Sequence, residues 1–300
     1  MASTREIQDR IKSINDTKKI TSAMYLISSS KLKKAKKALA DTEPYFYTLQ
    51  STIARILNHT DSSDTKQKYF EEGLTKPESE HKKGYIVVTA DKGLAGAYNH
   101  NVIKIAQEQL EKNPNNKLYV VGQVGMHFFE NRSTDIDHKF RYSIQNPTVN
   151  RARNIAETVL DAYLKDDLDE VYIIYTKMIN SMASEAEMLK LLPLKKGDFS
   201  AAELLTEDER ETEFEFIPSA NAVFETIVPN WISGLVYGAL VEAYCSEQNS
   251  RMMAMQASTE SADEMLRELN IVFNRVRQAA ITQEITEVIS GAKAQKKKKS

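Results

Sequence analysis

The stretch Asp91-Lys-Gly-Leu-Ala-Gly-Ala-Tyr-Asn99 is where chemistry would first be sought. It follows an apolar run and leads into a helical pattern, the place where α/β nucleotide-binding proteins set a phosphate loop. A Walker loop needs GxxxxGK[ST], so that backbone donors cradle phosphate, the lysine meets its charge and the hydroxyl holds magnesium. Here Gly93 and Gly96 lie three apart and no Lys-Ser or Lys-Thr pair follows. The dinucleotide pattern GxGxxG is missing too, so the glycines read as shaping a tight strand-to-helix turn. Histidines stand at positions 59, 81, 100, 127 and 138, without the HxxxH or HExxH spacing that sets two metal ligands on one helix face. No GxSxG elbow surrounds a serine, and the single Cys245 has no context of a nucleophile. Carboxylates are too numerous to single out a catalytic pair. No catalytic residue, cofactor or metal site is expected, and the chain reads as non-enzymatic.

The elements that would position any site point elsewhere. Ile7, Ile11, Ile14, Lys18, Thr21, Tyr25, Ser28, Leu32, Ala35 and Leu39 step by four and three, the rhythm of a coiled-coil seam, here partly polar. Pro44 is expected to weaken or kink that helix, because its ring disfavours helical geometry at Glu43 and removes a donor. The pattern resumes at Leu49, Ile53, Ile56 and Leu57. Near the other end Met255, Thr259, Ala262, Leu266, Leu269, Phe273, Val276 and Ala280 keep the same rhythm, which then drifts to Ile281, Ile285, Val288 and Ile289. At ~1.5 Å per residue the two predicted helices would run roughly 80 and 90 Å, far beyond the needs of a small domain. They can pair antiparallel if the intervening segment forms a domain at one end.

That segment carries three β-rich runs, 84–89, 117–122 and 170–176, alternating with helical patterns beginning near Asn99, around Met126 to Glu130, and from Thr148 to Leu164. Such alternation implies a small parallel sheet with helices on its faces, and the run to Leu192 and Pro193 suggests an antiparallel edge strand. The predicted fold class is therefore α/β: a long antiparallel coiled coil of terminal helices with a small central α/β domain containing a mostly parallel sheet. The predicted division is a first shaft helix over 1–60, a linker over 61–83, the central domain over 84–200, an acidic linker over 201–219, a second shaft helix over 220–292 and a basic tail over 293–300. Glu203 to Glu215 reads as a solvated acidic loop and the tail as unstructured.

Net charge is −2 at neutral pH, which gives no electrostatic reason to expect nucleic acid as partner. The amino terminus has neither the apolar core of a secretory signal nor the acid-poor composition of a transit peptide. The most apolar stretch, WISGLVYGALV, is about half the ~20 residues of a membrane span, so membrane association would go through partners.

Three segments carry a family resemblance. Ile281 to Ala294 (ITQEITEVISGAKA) looks like the signature of the ATP synthase gamma family, with Ile281, Thr282, Glu284, Glu287, Gly291, Ala292 and Ala294 in the required places. RIKSINDTKKITSAMYLISSSKLKKA is similar to the family's amino-terminal helix, and TADKGLAGAYN resembles its central loop. The resemblance covers almost the whole chain in the expected order.

It implies a bacterial-type rotor shaft of the F-type, proton-translocating ATP synthase. The shaft would turn inside a ring of three alpha and three beta subunits, with its α/β domain against epsilon and the c-ring, peripheral to the cytoplasmic side of the cell inner membrane. By position in the matched motifs, Arg277, Gln278, Thr282 and Glu284 fall where family members contact loops of the catalytic head. Met24 and the cluster Lys31, Lys33, Lys34, Lys36 and Lys37 fall on the face expected to meet acidic segments of beta. No insertion with paired cysteines follows the central domain, so chloroplast-type thiol regulation is not expected. The competing readings are a coiled-coil adaptor with an α/β docking domain, which leaves the 281–294 signature unexplained, and a nucleotide-binding α/β enzyme, which would bind ATP tightly as an isolated chain.

Overall fold

A computed structural model describes residues 4–59, 69–71, 76–77, 80–113, 115–141, 143–180, 183–200, 204–207 and 215–298. Elements follow in the order α1 (Thr4–His59), β1 (Lys83–Val88), α2 (Tyr98–Lys112), β2 (Lys117–Val121), α3 (Gln123–Asn131), β3 (His138–Phe140), α4 (Val149–Leu164), β4 (Glu170–Met178), β5 (Ser184–Leu192) and α5 (Ala220–Lys298). Two compact units result, Met1–Ser28 with Met252–Ser300, and Ser29–Arg251.

In the first unit the two terminal helices lie side by side. Thr21 shares a 2.7 Å hydroxyl contact with Thr259, and Lys18 is ion-paired with Asp263. Residue numbers rise along α1 as they fall along α5, so the pairing is antiparallel. Ile7, Ile11, Ile14, Lys18, Thr21, Tyr25 and Ser28 of α1 are buried or half-buried along the predicted four-three seam, flanked by half-buried Ser22 and Met24, and Met255, Thr259, Ala262, Leu266 and Leu269 of α5 do the same. From Ile281 to Ala292 every residue of α5 is exposed. The apolar drift at Ile281, Ile285, Val288 and Ile289 is therefore left exposed among the described residues.

The second unit is built on a five-stranded sheet in the order β3-β2-β1-β4-β5, parallel except for β5. Strand residues alternate between two apolar faces, as the two-residue strand period requires. Ile86, Val88, Val171 and Ile173 join one core with Ile155 and Val159 of α4, Ile53 and Ile56 of α1, and Phe224, Ile232 and Val236 of α5. Tyr85, Val87 and Ile174 join the other with Val102 and Ala106 of α2 and Met126 and Phe129 of α3. The near-continuous apolar character of β1 and β2 follows from burial on both faces. Cys245 lies in the first core, and burial pushes its thiol up to about 11, so it is a packing residue and a poor nucleophile at neutral pH.

Three local expectations are corrected. α1 is unbroken through Pro44. Proline frees the carbonyl four residues earlier, and Ala40 is exposed, so solvent can satisfy it while Leu39, Phe46 and Leu49, before and after Pro44 in the chain, pack against the core. α5 runs on to Lys298, through the tail that composition reads as unstructured, because alanine, lysine and glutamine are good helix formers. β3, three residues pairing in parallel with β2, was not foreseen. Of the acidic stretch, 203 and 208–214 lie outside the described residues, as do 61–68, 72–75 and 78–79 of the linker before β1.

Candidate functional site

The carboxyl ends of β1 and β4 are the switch point of this sheet, since the chain leaves β1 toward β2 on one side while β4 lies on the other. Open α/β sheets bind ligands there. The loop from Asp91 to Ala97 occupies that position and turns tightly, with Leu94 at φ 62° and Gly96 at φ 57°. Its hydrogen bonding is the reverse of a phosphate cradle. The Arg251 guanidinium, from α5, donates to the carbonyls of Gly93 at 3.2 Å and Lys92 at 3.4 Å. Arg251 is held in turn by Glu247 one helical turn earlier, at 2.6 Å. Asp91 accepts from Ser143 Oγ at 2.7 Å and from the Ile144 amide at 3.0 Å, and Asn99 accepts from the Ala90 amide at 2.8 Å.

The electrostatics agree. Glu247 is 2% exposed, and burial raises its carboxyl above the ordinary range against the pull of Arg251. Tyr98 is pushed well up by burial and then by the charge of Glu247. A phosphate would meet carbonyl oxygens and two carboxylates there, not a fan of amides. The loop anchors α5 to the sheet of this unit. Glu247 and Arg251 were missed in the sequence; their i, i+4 spacing signals a helix ion pair, but its target lies about 160 residues away in the chain.

The residues proposed as partner contacts fall in both units. In the first, Met24 is half-buried, while Arg277, Gln278, Thr282 and Glu284 are exposed on α5. Thr282 Oγ1 donates to its own helix at the Gln278 carbonyl, 2.9 Å away. Arg277, Ile281, Glu284, Ile285 and Val288 recur at steps of three and four, so they share one helix face. Glu287 accepts from Gln283 at 3.0 Å. Gly291 and Ala292 are exposed, and Ala294 lies within the helix.

In the second unit Lys33, Lys34, Lys36 and Lys37 are exposed on α1, whereas Lys31 is half-buried and reaches Gln145 at 3.4 Å. At 100° per residue, Lys33, Lys34 and Lys37 point away from the buried stripe of Ser28 and Ala35, while Lys31 lies toward it. The structure thus turns Lys33, Lys34 and Lys37 outward, leaves Lys36 exposed at the flank of the buried stripe and sets Lys31 apart.

Among the described residues no three His, Cys, Asp or Glu side chains converge as metal ligands, and no helix is long and apolar enough to cross a membrane. What the second unit offers is an anchored frame, and what the first offers is an exposed helical surface.

Comparison with known proteins bears directly on that surface. The ATP synthase family model matches residues 3–295. The ATP synthase gamma chain of Ruminiclostridium cellulolyticum is 45% identical over 97% of this chain and 98% of its own length. That of Acetivibrio thermocellus is 43% identical over 99% and 100%. A sodium ion specific gamma chain from Acetobacterium woodii is 36% identical over 97% and 98%. Among solved structures, a chain of the Euglena gracilis mitochondrial ATP synthase (OSCP/F1/c-ring) shares the fold at a TM-score of 0.65 and 15% identity, covering 97% of this chain and 94% of that one. A chain from the central stalk and c-ring of the Tetrahymena thermophila mitochondrial enzyme gives 0.60 at 23% identity, covering 79% and 98%. Paired terminal helices, a central sheet whose switch point is closed by Arg251, and end-to-end identity above 40% with two gamma chains lead to one conclusion: this chain belongs to the ATP synthase gamma chain family.

Proposed function

We propose that the chain is the central rotor subunit of an F-type ATP synthase, a non-catalytic shaft that couples rotation of the c-ring to conformational change at catalytic sites in the surrounding alpha and beta subunits. The observation that carries this reading is the full-length relation to gamma chains, joined to an α5 surface that is exposed from Ile281 to Ala292 and rich in apolar side chains. Large exposed apolar surface at regular helical spacing calls for a protein partner. A shaft acting on three sites in turn must make different contacts in different orientations, since only differential contact shifts a site between states. A thin, partly polar seam with an outward apolar face suits that demand.

In this reading Arg277, Gln278, Thr282 and Glu284 meet loops of the alpha and beta head. Met24 and the lysines from Lys31 to Lys37 meet acidic segments of beta, and the α/β domain meets epsilon and the c-ring. The complex sits on the cytoplasmic side of the bacterial inner membrane, with this chain attached through its partners. Exposed ion pairs contribute only ~0–1 kcal/mol each. A single lysine-to-alanine change should therefore alter turnover by less than about fivefold, while replacing all five should lower coupled ATP synthesis measurably. Normal coupled synthesis in the fivefold variant would remove the lysines from the coupling path.

The direct test mixes the full chain with its cognate alpha and beta subunits and reads complex size and ATPase rate, against a chain truncated before Ile281. The expected result is a complex of three alpha, three beta and one gamma with faster turnover, weakened by the truncation. Assembly and rate independent of this chain would overturn the reading.

A further inference from the structure

Within the second unit a cavity of about 280 Å³ opens between α1, the β4–β5 edge of the sheet and α5. That is near the lower end of the range of small-molecule sites, roughly 300 Å³ upward. Its walls are aromatic: Phe46 from α1, Tyr175 from β4 and Trp231 from α5 line it. Two small residues of α5 shape it differently. At Gly234 an added Cβ would stand 2.1 Å from the Phe46 ring, so glycine there is what lets the ring down onto the helix. At Gly238 an added Cβ would meet nothing within 4 Å, so that glycine leaves open floor.

The charged groups in its walls are two carboxylates and one lysine. Glu242, from α5, and Glu43, from α1, both line the cavity. Glu242 Oε2 is shut off from solvent and has no hydrogen-bond partner among the described residues. A carboxylate oxygen left so is costly, and its natural partner is a cation or a strong donor. Burial raises the Glu242 carboxyl above its ordinary value; Lys177 draws it down and Glu187 pushes it up. Lys177, the cationic wall residue, is ion-paired at 3.5 Å with Glu187 on β5 and leaves Glu242 Oε2 without a hydrogen bond. An anion would face two carboxylates against one lysine already paired with Glu187, and a neutral apolar body would deepen the desolvation of Glu242.

We infer that this cavity is a binding site for a small amphipathic cation, an ammonium carried on an aromatic or branched apolar body, with Glu242 pairing the charge and Trp231, Tyr175 and Phe46 enclosing the body. Aromatic faces add to the attraction, because a ring's quadrupole favours a nearby cation. The site is independent of the rotor reading, whose test is assembly with alpha and beta.

The experiment is calorimetric titration of the full chain with 2-phenylethylamine and with its neutral counterpart 2-phenylethanol, repeated in the assembled complex. The amine should bind about tenfold or more tighter than the alcohol, the span of one charge-assisted hydrogen bond. Glu242→Gln should bring the amine down to the level of the alcohol. Gly238→Leu should abolish binding of both without lowering the melting temperature, since open space receives the side chain. Glu43→Gln should weaken the amine less than Glu242→Gln does, and it tests the same charge should the Glu242 variant not fold. Equal binding of amine and alcohol, or undiminished binding in Gly238→Leu, would overturn the proposal. So would amine binding to the full chain that vanishes in the assembly, because a subunit then covers the cavity and a basic side chain of that partner is its occupant.

Discussion

The two units hold themselves together by different means. The sheet-based unit buries large apolar side chains completely: Phe70 and Phe224 are 1% exposed, Ile53, Ile86 and Ile173 0%. It also seals ions inside, at Glu247 with Arg251 and at Glu170, which accepts from His81 at 2.5 Å and from Tyr172. The terminal-helix unit has a thin seam, with threonine facing threonine and a half-buried lysine facing an exposed aspartate. One unit is built around a deep apolar core, while the other leaves the apolar residues Ile281, Ile285, Val288 and Ile289 exposed. That division is what a rotor needs, with a frame that does not yield and a shaft whose outward face is free to meet several environments.

The comparison can be broken most severely from inside the sheet unit. Phe224→Ala should cost about 3–5 kcal/mol, the usual range for emptying a fully buried aromatic site. Gly122→Ala should be damaging as well, because Gly122 has φ 99° and an added Cβ would lie 2.1 Å from the Thr89 carbonyl oxygen. Denaturant unfolding of the full chain measures both, and a loss below 1 kcal/mol for Phe224→Ala would mean that the core can collapse around the gap.

The anchored loop comes next. Arg251→Ala leaves Glu247 buried without its partner and should cost about 3 kcal/mol or more, whereas the double replacement Glu247→Gln with Arg251→Met should recover most of that loss. A double variant as unstable as the single one would show that the Gly93 and Lys92 carbonyls, not the Glu247 charge, are what Arg251 serves.

Acid should act on the same unit. Burial alone would raise Glu170 and Asp169, but hydrogen bonds from Tyr172 and His81 to the first, and from Lys76 and the Lys82 amide to the second, bring both below their ordinary values. A carboxyl lowered in the folded state stabilises above its unfolded value of about 4, and that stability fades as pH falls through the lower folded value. Melting temperature should therefore drop steeply below about pH 4. Glu170→Gln should flatten the drop.

The smallest effects belong to the helical seam. Thr21→Val alone removes the contact with Thr259 but leaves the Thr259 hydroxyl donating to the Met255 carbonyl at 2.8 Å, so it should cost less than about 1 kcal/mol, and replacing both threonines by valine should be close to neutral. Lys18→Ala should change stability by about 1 kcal/mol or less, since Lys18 is only half-buried and Asp263 is exposed. A seam variant as costly as Phe224→Ala would erase the contrast between the units.

Much of this was legible in the sequence. The four-three spacing from Ile7 to Ser28 coincides with the buried stripe of α1, and the three β-rich runs became β1, β2 and β4. Thr148 was readable as a helix start, and its hydroxyl accepts from the Arg151 amide. The signature from Ile281 to Ala294 marked the family because it rests on residue identity, not periodicity. Other features had no local signal. β3 spans only three residues, too few to show alternation. Pro44 looks like a break until the exposure of Ala40 shows that the freed carbonyl faces solvent. The fastening of the loop by Arg251, and the cavity beside Glu242, join residues far apart in the chain, and only packing brings them together.

The central claim is rotation, and Cys245 makes it testable: buried and with its thiol raised to about 11, it should stay unlabelled while a cysteine introduced by Gly197→Cys, where a Cβ meets nothing within 4 Å, takes a bead or fluorophore. With the alpha and beta head fixed to a surface and ATP supplied, the account predicts stepwise turning of the probe in one direction with three dwell positions per revolution. A probe that stays still while the complex hydrolyses ATP would contradict it.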